Sequence, residues 1–376
     1  MSFFSKKTAV STELIFDIES DSVCAAIVLY EVGKTPRIVY HTESEVTHKA
    51  HTDGAYLSRN MLKAVEETAE KASSAMIAPH VDKIHVVLSS PWIISKLSCV
   101  EKKFEKETII RQSAVADLLE KERAASSKLF AVGDSAAIDA KLFEIKINGY
   151  PVAEYEGKRA LSLEGTMVVS FASHKMSNEI KSRINRFFRA GNEVFHSSLI
   201  LRYIALRSIL PHHTDYIWLQ VHGELTDVLI VRKGVCAVSG SLPFGSDTLA
   251  RRFAGMTNES ETTAASTLAM LDSGSNTSQM ADVTRLNLEK ILPEWTRGIV
   301  GLVSGGKEGI LPAVAYISAG NFSPVFEQAV KQFSPTTSVM RALAEIATPF
   351  VEHDPSVPVD LSASLYSAAL SLSRKL

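Results

Sequence analysis

The sequence predicts an α/β protein of two lobes that carry duplicated sheet-and-helix units, with a small α+β module inserted between the copies. Three observations predict this fold. The chain has 376 residues, which exceeds the usual size of one hydrophobic core. The pattern strand, polar turn, strand, turn, strand occurs twice, in residues 13–42 and 215–245. Between the copies, residues 90–190 differ in composition and contain more charged residues.

The first copy begins with apolar runs at residues 13–18 and 23–30, and residues 37–46 are consistent with a third strand. A helix is predicted from Tyr56 to Met76, because its apolar positions recur every three or four residues. These positions are Leu57, Met61, Leu62, Val65, Ala69 and Ala72. Residues 83–90, "KIHVVLSS", return to a strand that Pro91 ends.

The pattern of residues 90–190 predicts one helix with strands before and after it. A second helix is predicted from His174 to Ala190. Asn148-Gly149 predicts a tight turn, since both residues tolerate positive φ. We interpret residues 90–190 as an inserted α+β module. Composition alone leaves open that they are the middle of one domain.

After the module, the pattern predicts a helix at 194–210, stopped by Pro211, and then the second copy. A further helix should begin with Ser246 or Asp247 as N-cap. Residues 257–281 contain "LDSGSNTSQ" and predict a loop. A helix at about 282–303, a strand in "AVAYISAGN" and a final helix with an apolar stripe from Leu361 to Leu376 complete the chain.

These elements predict three domains. The first lobe spans 12–89 and continues in 191–214 and 345–376. The module spans 90–190, and the second lobe spans 215–344.

Composition excludes several classes of function. With 40 Lys plus Arg against 42 Asp plus Glu and no basic block, nucleic-acid binding is not expected. The three cysteines, Cys24, Cys99 and Cys236, are odd in number and far apart, so neither disulfides nor a metal site is predicted. No window reaches the run of about 20 apolar residues that a membrane span needs. We expect a cytoplasmic protein that does not insert into a membrane.

The repeated turns have a further implication. Two similar lobes can close over a cleft, with their polar turns facing each other across it. "DIESDSVC", from Asp17 to Cys24, and "QVHGELTD", from Gln220 to Asp227, would then line a binding site.

At these residues the chain resembles the actin-like ATPase superfamily, whose fold is actin-like (ribonuclease H-like), and within it the PilM and FtsA branch. "DIESDSVC" is similar to a first phosphate loop and "QVHGELTD" to a second. "SLPFGSDTLARRFA" is similar to the element that follows the second loop, and "ISAGNF", residues 317–322, to the adenosine loop. The order and spacing of these motifs carry the resemblance, which covers nearly the whole chain.

The module lies where PilM and FtsA carry their extra subdomain, and "YSAALSLSRKL" resembles the ending of PilM-like proteins. FtsA continues into an amphipathic membrane helix, whereas this sequence ends at Leu376, which favours PilM.

The resemblance implies a degenerate nucleotide site. The residues that would bind the cofactor are those retained from the motifs, namely Asp17, Ser20, Ser22, Gly223, Thr226, Gly245 and Gly320. Each also has an ordinary explanation as a turn or strand residue.

Several substitutions oppose ATP and Mg²⁺ binding, which need room for phosphate, a cation beside it and acidic groups for the metal. Glu19 and His222 stand where the family has glycine, Cys24 replaces a lysine, and Gln220 replaces an aspartate. Ala319 replaces the first glycine of the adenosine loop. The sequence therefore predicts a pseudo-ATPase: ATP binding is weak or lost, hydrolysis is lost, and no catalytic residue is assigned.

The resemblance implies a scaffold of a type IV pilus assembly complex that binds the cytoplasmic N-terminal peptide of a PilN-like membrane protein. The expected location is the sheet of the module, around Phe143–Val152 and Met167–Ala172. One alternative is an FtsA-like division protein that forms homo-oligomers or filaments. A second alternative is a divergent but active actin-fold ATPase, which a turnover assay would identify.

Overall fold

The structure, a computed structural model, describes residues 10–47, 53–75, 80–130, 134–188, 193–272, 278–305, 311–341, 346–358 and 361–373. It divides the chain into two compact units. Unit 1 contains Met1–Ser89, Ser177–Pro211 and Ala342–Leu376, and unit 2 contains Ser90–Met176 and His212–Arg341.

Unit 1 is built on a six-stranded sheet. Its strands are β1 (Val10–Ile18), β2 (Ser22–Glu31), β3 (Arg37–Glu45), β4 (Lys83–Leu88), β9 (Glu193–Ser197) and β15 (Glu352–His353), in the order β15-β3-β2-β1-β4-β9. Its helices are α1 (Gly54–Ser74), α4 (Ser198–Ile209), α9 (Ala363–Leu372) and most of α3 (His174–Ile184). Burial of the apolar positions of β1 and β2, together with the stripe of α1, forms the core of this unit.

Unit 2 contains a five-stranded sheet with the order β12-β11-β10-β13-β14. The strands are β10 (Tyr216–Val221), β11 (Thr226–Arg232), β12 (Val235–Leu242), β13 (Val314–Ser318) and β14 (Ser338–Arg341). The helices are α5 (Ser246–Thr257), α6 (Glu261–Ala269), α7 (Ser278–Gly305) and α8 (Ser323–Phe333). Trp295 and Phe326 pack with their ring centroids 4.8 Å apart in the core between these helices and the sheet.

The two sheets repeat one another in detail. In each, three antiparallel strands form a meander, and the first strand of the meander pairs in parallel with the next strand of the order. The hairpin turns repeat as well, because Glu19 N donates to Ser22 O at 3.0 Å and His222 N donates to Leu225 O at 2.8 Å. A register shift at Ile27/Val28 recurs at Ile230/Val231. The predicted duplication is therefore confirmed down to the irregularities of its strands.

The module belongs to unit 2 and carries a separate sheet with the order β5-β8-β6-β7. Its strands are β5 (Ile93–Ile109), β6 (Ser135–Ile147), β7 (Tyr150–Pro151) and β8 (Arg159–Ser173), and its helices are α2 (Gln112–Phe130) and the start of α3 (His174–Ile184). One face of the sheet presents Ile145, Ile147 and Leu163 to Val115 and Leu118 of α2. The predicted turn is present, with Asn148 at φ 52° and Gly149 at φ 84°.

Several predicted boundaries are wrong. Residues 194–197 belong to strand β9, not to the following helix, because a five-residue parallel strand is too short to show a periodicity. The second helix of the module ends at Ile184, not at Ala190. Helix α6 occupies part of the predicted loop at 257–281, since Ser260 accepts a hydrogen bond from Thr263 N and caps it. Residues 273–277 of that loop lie outside the described residues.

Among the residues that the structure describes, no helix is both long enough and apolar enough to cross a bilayer.

Candidate functional site

The first polar turn joins β1 to β2 and carries Asp17, Ser20 and Ser22. Asp17 and Ser20 are buried, at 1% and 0% exposure, and Ser22 is half-buried. The turn is anchored from outside the hairpin, because Val46 N donates to Asp21 O at 2.7 Å. The sequence-predicted residues of this turn are thus brought together at the carboxyl end of β1.

Glu19, where the resemblance places a glycine, is buried beside an arginine of α4. Arg202 Nη2 lies 3.6 Å from Glu19 Oε1, which is a charge contact and too long for a hydrogen bond. The same Nη2 donates to Ser89 Oγ at 3.2 Å. With Arg202 at 3% exposure and Glu19 at 7%, the carboxylate and guanidinium occupy the interior beside the turn.

Asp17 is a buried carboxyl group of this turn with a raised pKa. Ser362, the N-cap of α9, donates its hydroxyl to Asp17 Oδ2 at 2.7 Å. Burial and then the charge of Glu19 raise the pKa of Asp17 to about 7, although the Ser362 hydrogen bond and the charge of Arg202 act to lower it. Asp17 therefore holds its proton in the folded chain at pH values where a carboxyl group is ordinarily ionised.

This raised pKa predicts how stability depends on pH. Between about pH 4 and 7 the folded chain keeps the Asp17 proton and the unfolded chain loses it, so the free energy of unfolding falls as pH rises, by up to about 1.4 kcal/mol per pH unit. Asp17→Asn, which is neutral throughout, should remove this slope and be more stable than the wild type near pH 7. Urea denaturation of both proteins from pH 4 to 8 measures the difference, and parallel curves would contradict it.

The second polar turn joins β10 to β11 and is filled by its own side chains. His222, at 0% exposure, places Nε2 3.1 Å from Asp227 Oδ2. The other carboxylate oxygen of Asp227 accepts from Ser241 Oγ at 2.6 Å, and Ser241 is linked to Ser90 at 2.9 Å. The imidazole thus occupies the room that the resemblance assigns to a glycine and uses the neighbouring carboxylate.

Gly245 locks this turn to the start of α5. An added Cβ at Gly245 would lie 2.2 Å from His222 O and 2.4 Å from Gly223 O. The close approach lets Ser246 N and Asp247 N donate to those two carbonyls, at 2.9 and 2.8 Å. Gly245, not Ser246 or Asp247, is therefore the N-cap of α5, because the first amides of the helix bind backbone oxygens of the turn.

Thr226 and Gly320 have structural partners of their own. Thr226 Oγ1 donates to Phe244 O at 2.6 Å and accepts from Trp295 Nε1 at 3.0 Å, so its hydroxyl is used inside the core. Gly320, at φ 51°, begins the 3-10 turn after β13. Gly223 lies close to Gly245, and Thr226 binds the neighbouring Phe244, so these three retained residues lie around one turn.

Gln220 and Ser318 are cross-strand neighbours at the carboxyl ends of β10 and β13. Both are buried, and Gln220 Oε1 and Ser318 Oγ have no hydrogen-bond partner among the described residues. The resemblance places an aspartate at the position of Gln220. The neutral amide of Gln220 supplies no charge for a metal ion.

The module carries a second candidate site on the face of its sheet opposite α2. A cavity of about 350 Å³ lies there over two rows that cross three strands. The rows are Cys99–Thr166–Glu144 and Glu101–Glu164–Lys146. The expected segment Met167–Ala172 is buried throughout, so the accessible part of this sheet lies next to it.

Sequence reasoning missed Arg202 and Ser362. Arg202 is the charged residue of the buried run "SLILRYIAL", and a cation inside an apolar helix face is the signal that could have identified it. Ser362 precedes the last helix as an ordinary N-cap. Nothing in the sequence around Ser362 indicates its contact with Asp17, which lies 345 positions away.

No family model and no curated protein matches the sequence. Solved structures do resemble the chain. The PilM-PilN type IV pilus biogenesis complex is 12% identical, with a TM-score of 0.62 and 98% of each chain covered. A Bacteroides thetaiotaomicron protein of unknown function with an actin-like ATPase fold is 10% identical, with a TM-score of 0.41 and 98% and 99% covered. MreB 5 of Spiroplasma citri, bound to AMPPNP, is 10% identical, with a TM-score of 0.44 and 88% and 91% covered.

At 12% identity the similarity to the PilM-PilN complex establishes the fold. Together with the duplicated sheets, which share one strand order, it confirms the predicted architecture. The chain has the actin-like ATPase fold.

Proposed function

We propose that this protein is a PilM-like cytoplasmic scaffold at the inner membrane that binds the cytoplasmic N-terminal segment of a PilN-like membrane protein. It has lost ATP hydrolysis. The observation that carries the proposal is the end-to-end similarity of fold to the PilM-PilN complex, which covers 98% of both chains.

The loss of hydrolysis is supported by the filling of both turns. Mg-ATP needs backbone amides that approach phosphate, a free cation and carboxylates that hold the metal. Glu19 places a second carboxylate beside Asp17, and Arg202 already lies against it. His222 fills the second turn, and the amides of Ser246 and Asp247 bind protein carbonyls. The residues present do not fit a nucleoside triphosphate, and no catalytic step is assigned to them.

The partner site is proposed on the cavity-bearing face of the module. Its floor carries the carboxylates of Glu101, Glu144 and Glu164 against one cation, Lys146, which lies 3.2 Å from Glu144. Glu101 and Glu164 are direct cross-strand partners, and like charges in such a pair are destabilising by about 0.2–1 kcal/mol. A peptide that brings a Lys or Arg side chain to this row relieves the repulsion.

The edge of the module sheet that β6 forms suits an extended peptide. In the described part of the module, β6 pairs with β8 on one side and with only the two-residue β7 on the other. We place the peptide along β6 as an added strand, in which main-chain hydrogen bonds provide affinity and side-chain pockets provide specificity.

Glu164→Lys is expected to weaken peptide binding at least about tenfold, a loss of about 1.4 kcal/mol, because it replaces the central carboxylate of the row with a cation. The measurement is fluorescence anisotropy with a labelled peptide that has the sequence of the cytoplasmic N-terminus of the PilN-like protein from the same organism.

Glu120→Lys is the matched control, because it makes the same charge change at an exposed position of α2, on the other side of the module sheet. It should leave the affinity within about twofold, since a solvent-exposed charge at that distance is screened. A wild-type chain that does not bind the peptide at millimolar concentration would refute the scaffold proposal. Steady phosphate release from Mg-ATP that Asp17→Ala abolishes would refute the loss of hydrolysis.

A further inference from the structure

Three side chains of unit 1 that are separated in sequence meet on one face of the sheet, near the first turn. Cys24 on β2 pairs across the strands with Glu43 on β3, and His41 lies two residues from Glu43 on the same face. One ligand atom from each residue, the thiol sulfur, an imidazole nitrogen and a carboxylate oxygen, lies within 4.8 Å of the others. The sequence predicts no metal site here, because only the strand register brings these residues together.

The surroundings of Cys24 favour a cation. Asp17 is the cross-strand partner of Cys24 on β1, so the sulfur lies in a row between two carboxyl groups. The Glu43 carboxylate beside the sulfur attracts a divalent cation.

The burial of the three residues leaves a path to solvent. Cys24 is 3% exposed, His41 is half-buried and Glu43 is exposed. An ion can therefore approach the site from the exposed Glu43 side. Atoms bound to one tetrahedral zinc ion, with bonds of about 2.0–2.3 Å, lie roughly 3.5 Å apart, so closing the site requires shifts of about 1 Å.

We propose that Cys24, His41 and Glu43 form a binding site for Zn²⁺ in unit 1. Thiolate and imidazole are ligands that select zinc over Mg²⁺ or Ca²⁺, and three protein ligands leave the fourth tetrahedral position to water. On binding, the Cys24 S–H bond breaks, the sulfur keeps the electron pair and forms the bond to zinc, and the proton leaves to solvent. The site is independent of the peptide-binding face of the module.

Cobalt substitution tests the site with a readout specific for sulfur. The full-length chain is freed of metal with a chelator and titrated with Co²⁺. We expect one equivalent to produce a thiolate-to-cobalt charge-transfer band in the near ultraviolet, and one equivalent of Zn²⁺ to remove it. Cys24→Ser should abolish the band, and Cys236→Ser should retain it, because Cys236 is equally buried but lies in unit 2. A wild-type chain without the band, or a band that survives Cys24→Ser, overturns the proposal.

The other ligands provide a test that does not depend on the folding of the cysteine variant. Glu43→Gln and His41→Gln should each weaken Zn²⁺ binding by at least about 10–100-fold, the loss that follows even from altering groups that only support a ligand. Competition with a chromophoric zinc chelator measures these affinities. Glu45→Gln is the matched control, since Glu45 is also exposed on β3 and pairs with Ser22, and its affinity should equal that of the wild type. Unchanged affinity in both ligand variants overturns the proposal.

Discussion

Gly245→Ala is expected to destabilise unit 2 by about 3–5 kcal/mol, since it combines steric overpacking with the loss of two backbone hydrogen bonds. The new Cβ would meet the carbonyl oxygens of His222 and Gly223 at 2.2 and 2.4 Å, distances that real structures do not contain. The turn and the start of α5 would have to separate, and Ser246 N and Asp247 N would lose their acceptors. The chain tolerates only glycine at this position, whether or not a nucleotide binds.

Tryptophan fluorescence during urea denaturation measures this effect within unit 2, because Trp92, Trp218 and Trp295 all belong to it. Gly255→Ala is the control in the same helix. An added Cβ there has no atom within 4 Å, so the change should stabilise the helix by about 0.5–1 kcal/mol. A Gly245→Ala protein that lost less than about 1 kcal/mol, within the ordinary range of substitutions, would show that the turn and α5 are not locked together as described.

Arg202→Met is expected to destabilise unit 1 by about 3–5 kcal/mol, because it leaves the buried Glu19 carboxylate without its cation while keeping most of the side-chain volume. Arg202 is 3% exposed and Glu19 is 7% exposed, so water replaces the lost charge poorly. The double variant Glu19→Gln/Arg202→Met removes both charges and should recover much of the loss. This recovery distinguishes an unpaired buried charge from lost packing.

Alkylation of Cys24 reports this change in unit 1, in a background where Cys99 and Cys236 are replaced by serine. Cys24 is 3% exposed, and its labelling requires the unit to open. Lys63→Met is the control, because Lys63 pairs with Glu67 on the exposed side of α1, also in unit 1, and such pairs contribute about 0–1 kcal/mol. Equal labelling rates in Arg202→Met and the wild type would mean that Glu19 does not depend on this arginine.

The two repeated turns have the same backbone hydrogen bonding and differ in the side chains that fill them. Both close with the same amide-to-carbonyl hydrogen bond and precede strands with the same register shift. The first turn holds a carboxylate beside an arginine, and the second holds an imidazole beside a carboxylate. The repeat therefore lies in the backbone of the two turns and not in the side chains that fill them.

The sequence predicted those parts of the structure that depend on neighbours along the chain. Alternating and helical apolar patterns identified β1, β2, α1 and the duplicated meander, because burial of one face imposes a period on the residues of that element. It missed β9, which has five residues, and α6, whose polar composition resembles that of a loop. Short elements contain too few residues to express a period, and their structure is decided by the sheet or helices that they join.

The candidate sites also have a part that the sequence predicts and a part that only the tertiary structure decides. The sequence by itself determined where the polar turns lie and predicted which of their residues depart from a phosphate loop. Only the tertiary structure decided that Arg202 lies against Glu19, that Ser362 binds Asp17 and that His41 and Glu43 lie beside Cys24. Such contacts join residues from different strands and helices. They depend on strand register and helix packing, which arise when distant segments bury their apolar faces together.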